Sequence, residues 1–294
     1  MKIHILSVHP EFQPDHQNFT SSPLQEFGVE QDFLWWLQKQ PTLLANSEAE
    51  ADWDYAPLFW NRVYVNDWGK RTDEVQAEIL RLVTRARPTF TVAEYDIASF
   101  HPDLDLCGMV VFTAGRRGDA GIDIPLLCSP HVFPAALPEK KWLASFVGNL
   151  NTFTPRPEMA EALRDRNDVY CEHASRGTDF FVDLMLRSYI GLAPRGYSGQ
   201  SFRFYEAMQL GVVPLLVGDL DTRPFKRWLP WDAVSLYLPD VSGLNALLDA
   251  VDAADLALMG YQARRMYEDA LAYQKWEGYV LKELEALSLW TALP

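Results

Sequence analysis

A glycine-rich turn in the second half of the chain carries residues that could bind an anion. The chemistry lies in five of them: Arg195, Ser198, Gly199, Ser201 and Arg203. Residues 189–193 form an apolar run that predicts a buried parallel strand before the turn, and residues 201–210 predict a helix after it. Free amide groups at a helix N-terminus, the helix dipole and guanidinium groups all attract phosphate. We therefore predict a phosphate site at this turn.

One carboxylate extends the pattern. Glu206 follows Arg203 by three residues, one turn further along the predicted helix. From there it could accept hydrogen bonds from the ribose hydroxyls of a nucleotide. The same spacing also describes an ordinary ion pair on a helix surface, worth ~0.3 kcal/mol. Gly196 and Gly199 are likewise what a turn without a ligand would contain, so spacing alone leaves both interpretations open.

The chain divides at a proline-rich stretch, residues 125–138, which predicts an irregular connection. On both sides of it, predicted strands alternate with predicted helices, the pattern of parallel sheets covered by helices. Strands are predicted at residues 3–8, 53–58, 89–93, 109–113, 142–148, 169–172, 189–193, 212–217 and 234–238. Helices are predicted at residues 31–38, 72–86, 158–166, 179–187 and 201–210, and residues 244–287 are helical with aromatic interruptions.

Composition excludes several classes of function. The net charge of −14 argues against duplex nucleic-acid binding and against docking on anionic membranes, which both need positive charge. Cys107, Cys128 and Cys171 form no C-x-x-C motif, which predicts reduced thiols without a disulfide frame or a zinc site. No run approaches ~20 apolar residues, and the first residues read as a strand, so we expect a cytoplasmic protein without a membrane span. The oligomeric state is not indicated.

The anion-binding segment resembles the exostosin-like family of glycosyltransferases. That family carries a P-x-G, S-x-R-hydrophobic-x-E-A and G-C-hydrophobic-P pattern, and this chain matches it at residues 194–196, 201–207 and 211–214, with Val212 replacing the usual Cys. Similar pieces stand at residues 51–60, 121–124, 143–149 and 224–231. Asn149 departs from the family, which prefers Arg or Lys there. The resemblance covers most of residues 25–235.

The resemblance implies an α/β fold of two doubly wound, Rossmann-like domains facing a cleft, the GT-B architecture. Residues 1–130 would bind the acceptor, residues 139–270 would bind the nucleotide sugar, and residues 271–294 would form a helix that crosses back to the first domain. The implied activity is that of an inverting, metal-independent glycosyltransferase, which moves a sugar from a nucleoside-diphosphate sugar, most simply a UDP-sugar, to a glycan or another hydroxyl acceptor. The alternatives are a non-catalytic subunit that partners another glycosyltransferase, and a different doubly wound enzyme such as an epimerase.

The resemblance also distributes roles among residues. The donor would be bound by Arg195, Gly196, Ser198, Gly199, Ser201, Arg203 and Glu206. Arg195 would also stabilise the leaving diphosphate. Asp119 and Asp123 are equal candidates for the catalytic base, ahead of His9, Asp15, His16 and Asp54. Trp60 and Trp68 are candidate stacking platforms for the acceptor sugar.

A metal-dependent alternative rests on three D-x-D pairs. They are Asp52 with Asp54, Asp103 with Asp105, and Asp219 with Asp221. Other glycosyltransferases use this spacing to hold manganese, but a chain with 40 acidic residues supplies such pairs by chance. We expect no metal and no other cofactor.

Overall fold

The computed structural model describes residues 1–15, 28–83 and 87–291. Strands and helices alternate along most of this part of the chain. The strands are β1 (Ile3–Ile5), β2 (Trp53–Tyr55), β3 (Thr89–Ala93), β4 (Val110–Thr113), β5 (Ile122–Asp123), β6 (Trp142–Gly148), β7 (Val169–His173), β8 (Ser188–Pro194), β9 (Val213–Val217) and β10 (Leu236–Leu238). The α-helices are α1 (Val29–Gln38), α2 (Trp60–Asp67), α3 (Thr72–Leu82), α4 (Ile97–Phe100), α5 (Pro155–Ala162), α6 (Thr178–Leu186), α7 (Phe202–Gln209), α8 (Leu244–Ala250), α9 (Ala253–Met266) and α10 (Glu277–Thr291).

The chain forms two compact units. Unit 1 comprises Met1–Pro125 and Tyr273–Pro294, and unit 2 comprises Leu126–Ala272. Each unit contains one five-stranded sheet in which every strand pair is parallel. The predicted α/β class with two parallel sheets is therefore confirmed.

The sheet of unit 1 has its strands in chain order, β1-β2-β3-β4-β5. Its core is aromatic. The ring centre of Phe33 lies 5.0 Å from that of Tyr55 and 5.8 Å from that of Phe90, and the ring centres of Tyr55 and Phe90 lie 5.0 Å apart. The C-terminal segment packs on this unit, since the indole Nε1 of Trp276 donates to Asp32 on α1 at 3.0 Å. Ordering of that segment thus depends on contacts with the first helix of the chain.

The sheet of unit 2 has the order β10-β9-β8-β6-β7. The chain winds outwards in one direction from β6 to β7, and then returns to the other side of β6 to form β8. This reversal of direction is the topological switch point of a doubly wound sheet. All five residues of β9 are buried, as expected for a strand covered on both faces.

Most predicted elements occur with shifted ends, and the helices α2 and α4 and the short strand β5 were missed. Residues 53–58 were predicted as a strand, but β2 stops at Tyr55 and α2 starts at Trp60. That helix ends at Trp68 in the left-handed conformation, with φ of 56°. The helix predicted at 72–86 ends at Leu82, and residues 84–86 lie outside the described part of the chain. Within the described residues, no helix combines the length and apolar character that a membrane crossing requires.

Candidate functional site

The carboxyl ends of β6 and β8 lie side by side at the switch point of unit 2. In open α/β sheets, ligands bind outside the strand ends at this place, where the loops part in opposite directions. The predicted donor residues all lie on the connection from β8 to α7 or on α7 itself: Arg195, Gly196, Ser198, Gly199, Ser201, Arg203 and Glu206. The fold therefore brings these residues to one loop and one helix, beside the end of β6.

Arg195 is buried, although it carries a charge. Its backbone N–H donates to the carbonyl of Val217 at 2.9 Å, which extends the pairing of β8 with β9 by one residue. Its guanidinium forms an ion pair with the exposed carboxylate of Asp219 and lies 4.2 Å from the ring centre of Phe153. The Nε atom is buried and makes no hydrogen bond to any described residue. Arg195 thus keeps one buried N–H donor to spare.

Arg203 lies on the first turn of α7 and reaches back to β6. Its Nε and Nη2 atoms donate to the carbonyl of Val147 at 3.1 and 2.7 Å, and its guanidinium lies 4.8 Å from the ring centre of Phe146. Burial lowers the pKa of Arg203 below its usual value. A Cβ atom on Gly148 would overlap Nη2 of Arg203, so the glycine leaves room for this guanidinium.

A third arginine was missed by the sequence analysis. Arg156, on the first turn of α5, donates from Nε to the carbonyl of Arg195 at 3.1 Å and from Nη1 to that of Asn149 at 2.9 Å. Burial and the charge of Arg203 lower the pKa of Arg156 to about 10. Both effects disfavour the cation, and an anion nearby would offset them. The signal in the sequence was an arginine in the first turn of the helix that follows a glycine-terminated strand.

Ser201 is the N-cap residue of α7, but its hydroxyl makes no capping bond. The side chain is almost fully buried, and Oγ has no hydrogen-bond partner among the described residues. A serine at this position usually accepts from an amide of the first turn. Buried polar groups are rarely left unpaired, so a hydroxyl without a described partner at a helix N-terminus marks a candidate ligand position.

Other predicted residues shape the loop. The carbonyl of Gly199 accepts a hydrogen bond from Oγ1 of Thr222 at 3.0 Å. Oγ of Ser198 donates to the carbonyl of Gln200 at 3.4 Å. A Cβ atom on Gly196 would come within 2.9 Å of Nη2 of Arg156. These contacts fix the turn and leave its arginines and amides as the groups that can meet an anion.

Glu206 is held by a residue of the proline-rich segment at the start of unit 2. Nε2 of His131 lies 3.2 Å from Oε1 of Glu206, and the His131 side chain is almost fully buried. The backbone N–H of His131 donates to Oε1 of Gln209, one turn further on, at 2.8 Å. The proline-rich segment, residues 125–138, is irregular, as predicted, but His131 binds it to α7 through these two contacts. Nothing in the local sequence around His131 signals this contact.

The base candidates of unit 1 differ in their surroundings. Both carboxylate oxygens of Asp123 accept hydrogen bonds from Arg116, at 2.9 and 2.8 Å. Asp119 is exposed in the loop that follows β4. His16, a lesser candidate, lies outside the described residues, and Nδ1 of His9 pairs with Glu11 at 2.8 Å. Of the two leading candidates, Asp123 therefore has both oxygens engaged and Asp119 is exposed.

The prediction for Trp60 as a stacking platform was wrong. The helix α2 turns this indole into the core, where it is 2% exposed and donates from Nε1 to Oγ1 of Thr91 at 2.9 Å. A ring with both faces packed offers no surface to a sugar. Trp68 is 61% exposed and contacts Tyr64 edge to face, so its indole is accessible.

Three of the six D-x-D carboxylates, those of Asp54, Asp219 and Asp221, pair with arginines. Asp219 pairs with Arg195, and Asp221 accepts two hydrogen bonds from Arg223, at 2.9 and 3.0 Å. Asp54 accepts from Arg87 and contacts His4. Across residues 1–15, 28–83 and 87–291, no three His, Cys, Asp or Glu side chains are grouped so that they could hold a metal ion.

A family model described as the Exostosin GT47 domain matches residues 1–247. One similar protein is a probable glucuronosyltransferase of Oryza sativa subsp. japonica, 29% identical over 91 residues, which are 30% of this chain and 20% of that protein. A second from the same organism is 29% identical over 106 residues, covering 35% and 24% of the two chains. The matches thus span about a fifth to a quarter of these curated relatives.

Solved structures are similar at lower levels. The crystal structure of Anabaena HepE in complex with UDP-glucose has a TM-score of 0.45 and 11% identity, and the match covers 97% of this chain and 100% of that one. The structure of S. aureus TarM with Fondaparinux, α-GlcNAc-glycerol and UDP has a TM-score of 0.40 and 10% identity, with 86% and 58% covered.

Proposed function

We propose, from the premise that the chain belongs to the exostosin GT47 family, that it is a glycosyltransferase that uses a uridine diphosphate sugar. Its curated relatives in Oryza sativa are named probable glucuronosyltransferases, which makes UDP-glucuronic acid the first donor to test. The acceptor is a hydroxyl group of a glycan or of another molecule. Unit 2 binds the donor and unit 1 binds the acceptor.

One observation carries the donor assignment. Nε of Arg195 and Oγ of Ser201 are both buried without a partner among the described residues, at the switch point of the sheet and beside the first turn of α7. A diphosphate supplies the acceptors that these two donors lack. Charge-assisted hydrogen bonds of this kind contribute ~1.5–3 kcal/mol each. The hydrogen bonds from Arg195 and Ser201 would strengthen as negative charge develops on the leaving UDP, which is how such groups accelerate a reaction.

The remaining roles follow from position. Arg203 places a second guanidinium near the diphosphate, and Glu206 accepts hydrogen bonds from the ribose hydroxyls. With two guanidinium groups and a helix N-terminus facing the leaving group, the proposed reaction needs no metal ion. Trp68, whose indole is accessible on unit 1, is the stacking platform for the acceptor. Inversion at the anomeric carbon is carried over from the family pattern.

A second candidate function is a non-catalytic subunit that binds a nucleotide sugar or glycan for another glycosyltransferase. The observation that favours it is that neither of the two predicted catalytic bases is well placed to take a proton. Asp123 is fully engaged with Arg116, and Asp119 stands exposed in a loop.

Calorimetry with UDP and a turnover assay test both functions. We expect UDP to bind, and Arg195→Ala to weaken binding by roughly 10- to 100-fold, the loss of one charge-assisted contact. Arg187→Ala is the matched control, because this exposed arginine of unit 2 pairs only with Asp183 on α6 among the described residues. UDP release from UDP-glucuronic acid, with glycosides as acceptors, then separates the candidates. Binding without release favours the subunit, and equal affinity of the Arg195 variant rejects the site.

A further inference from the structure

Unit 1 holds a cluster of three polar side chains at the carboxyl edge of its sheet. Glu94 follows directly after β3, Glu30 lies in the first turn of α1, and Asn61 lies in the first turn of α2. The N-termini of two helices and the end of a central strand therefore meet at this group. Residues at such strand ends face the ligand side of a parallel sheet.

Hydrogen bonds join the three side chains. Oε1 of Glu30 accepts from the backbone N–H groups of Asn61 and Glu94, each at 3.1 Å. Nδ2 of Asn61 donates to Oε2 of Glu94 at 3.2 Å. Glu30 is 1% exposed and closes the inner side of the group. The amide of Asn61 thus fixes one oxygen of Glu94.

The second oxygen of Glu94 is open. The side chain is half-buried, and Oε1 accepts no hydrogen bond from the described residues. A Cβ atom on Gly28 would overlap Oε2, so only a glycine there lets the carboxylate take this position. Glu94 therefore has one anchored oxygen and one oxygen that can reach a bound molecule.

The charges around Glu94 set its affinity for protons. Burial raises the pKa of Glu94 to about 7, against the hydrogen bond from Asn61 and the charge of Arg62 on α2, which both lower it. Burial, and then the charge of Glu94, raise the pKa of Glu30 to about 8. Tyr55 on β2 and Tyr95 after β3 also face Glu30, and burial keeps both phenols neutral. A group with a pKa near the working pH is best suited to move a proton.

We propose that Glu94 is the general base of the glycosyl transfer, an inference that rests on the proposed function. Oε1 of Glu94 takes the proton of an acceptor hydroxyl bound by unit 1. The hydroxyl oxygen forms a bond to the anomeric carbon of the sugar, and the bond from that carbon to the β-phosphate oxygen breaks. UDP leaves with the electron pair of the broken bond. Asp119 and Asp123 then have no role in proton transfer.

Glu94→Gln tests this assignment, because glutamine keeps an oxygen for Asn61 and loses the basic group. We expect kcat for UDP release from UDP-glucuronic acid, with glycosides or water as acceptor, to fall by ~10²–10⁴-fold. Calorimetry should give an unchanged Kd for UDP, which binds to unit 2. In the wild type, kcat/KM should fall below about pH 7, and this acid limb should be absent from the residual activity of the variant.

Two further variants keep the test decisive. Glu94→Asp retains a carboxylate and should keep the acid limb with a reduced kcat. Glu78→Gln is the control. This buried carboxylate of unit 1 pairs with Arg81 and accepts a hydrogen bond from the backbone N–H of His9, and it makes no contact with Glu94 among the described hydrogen bonds. Glu94→Gln with wild-type kcat and pH profile would overturn the base while leaving the glycosyltransferase intact. Wild-type protein that fails to bind UDP would instead reject the proposed function, and binding without turnover would reject the base.

Discussion

Nε2 of His131 lies 3.2 Å from Oε1 of Glu206, so a residue of the proline-rich segment at the start of unit 2 orients a carboxylate on α7. The imidazole is itself fixed, because its backbone N–H donates to Gln209 and its ring lies 5.8 Å from that of Phe181. Glu206 therefore reaches its proposed ribose partner with one oxygen already bound. The carboxylate is positioned before the nucleotide arrives, which reduces the entropy cost of binding.

Removing this contact should weaken ribose recognition. In His131→Ala, Glu206 is free to rotate, and we expect UDP affinity to fall about 5- to 10-fold, the loss of roughly one hydrogen bond. The preference for UDP over 2′-deoxy-UDP should shrink in calorimetry. His131→Gln places an amide donor near the former Nε2 and should restore much of the affinity. Wild-type discrimination in His131→Ala would show that the histidine has no part in recognition.

Gly148→Ala should disable the donor site through Arg203. The added methyl group would overlap the guanidinium and push it away from the carbonyl of Val147. We expect UDP affinity to fall by at least 10-fold, as measured by calorimetry. Gly177→Ala is the control, because its Cβ would meet no atom within 4 Å. Equal UDP affinity in the two variants would remove Arg203 from the site.

Chelation should leave UDP release unchanged. Asp219 and Asp221 are engaged by Arg195 and Arg223. In the proposed reaction, Arg195 and Arg203 take the role that a cation has in metal-dependent enzymes. The measurement compares initial rates before and after EDTA treatment, with manganese added back. Loss of activity in EDTA with recovery in manganese would contradict this prediction and return the D-x-D carboxylates to the reaction.

Raising the pH should destabilise unit 1 through Glu277. This carboxyl group is fully buried, and burial followed by the nearby Asp32 raises its pKa to about 9. Between about pH 4.5 and 9 the folded chain keeps a proton that the unfolded chain has lost. The free energy of unfolding therefore falls with pH, by up to ~1.4 kcal/mol per pH unit from this group.

Urea unfolding at pH 5.5, 7 and 8.5 measures this slope. Glu277→Gln cannot ionise, so its unfolding free energy should fall less steeply with pH than that of the wild type. Glu30 and Glu94 have raised pKa values too and add slopes of the same sign, so part of the dependence will remain. Identical slopes in the wild type and the variant would mean that Glu277 is ionised in the folded chain.

The position of the loop that we propose binds the donor could be predicted from sequence because its signals are local. Arg195 and Ser201 are separated by a glycine-rich turn between an apolar run and a helix pattern, and all of these lie within a few residues of one another. The alternation of strands and helices predicts parallel sheets, but the strand order that places this turn at a switch point is seen only in the structure, since the sheet of unit 1 alternates in the same way and has no switch point.

The group around Glu94 could not be predicted, because its members come from distant segments. Glu30, Asn61 and Glu94 are brought together only when β3 pairs with its neighbours and α1 and α2 pack beside it. Trp60 failed as a prediction for a related reason. The exposure of Trp60 depends on whether the chain after β2 is a loop or a helix. The residue before α2 is Phe59, which makes no side-chain capping bond, so the sequence carries no N-cap signal for this helix.

The attachment of residues 126–131 to α7 and to the loop before it affects how the two units can be separated or exchanged. The backbone N–H of Leu126 donates to Oε1 of Gln200 at 3.1 Å, and Nε2 of Gln209 donates to the carbonyl of Ser129 at 3.1 Å. A fragment that starts after His131 would remove these contacts of Gln200 and Gln209. Chimeras between relatives should therefore be joined before Leu126, so that unit 2 keeps residues 126–131.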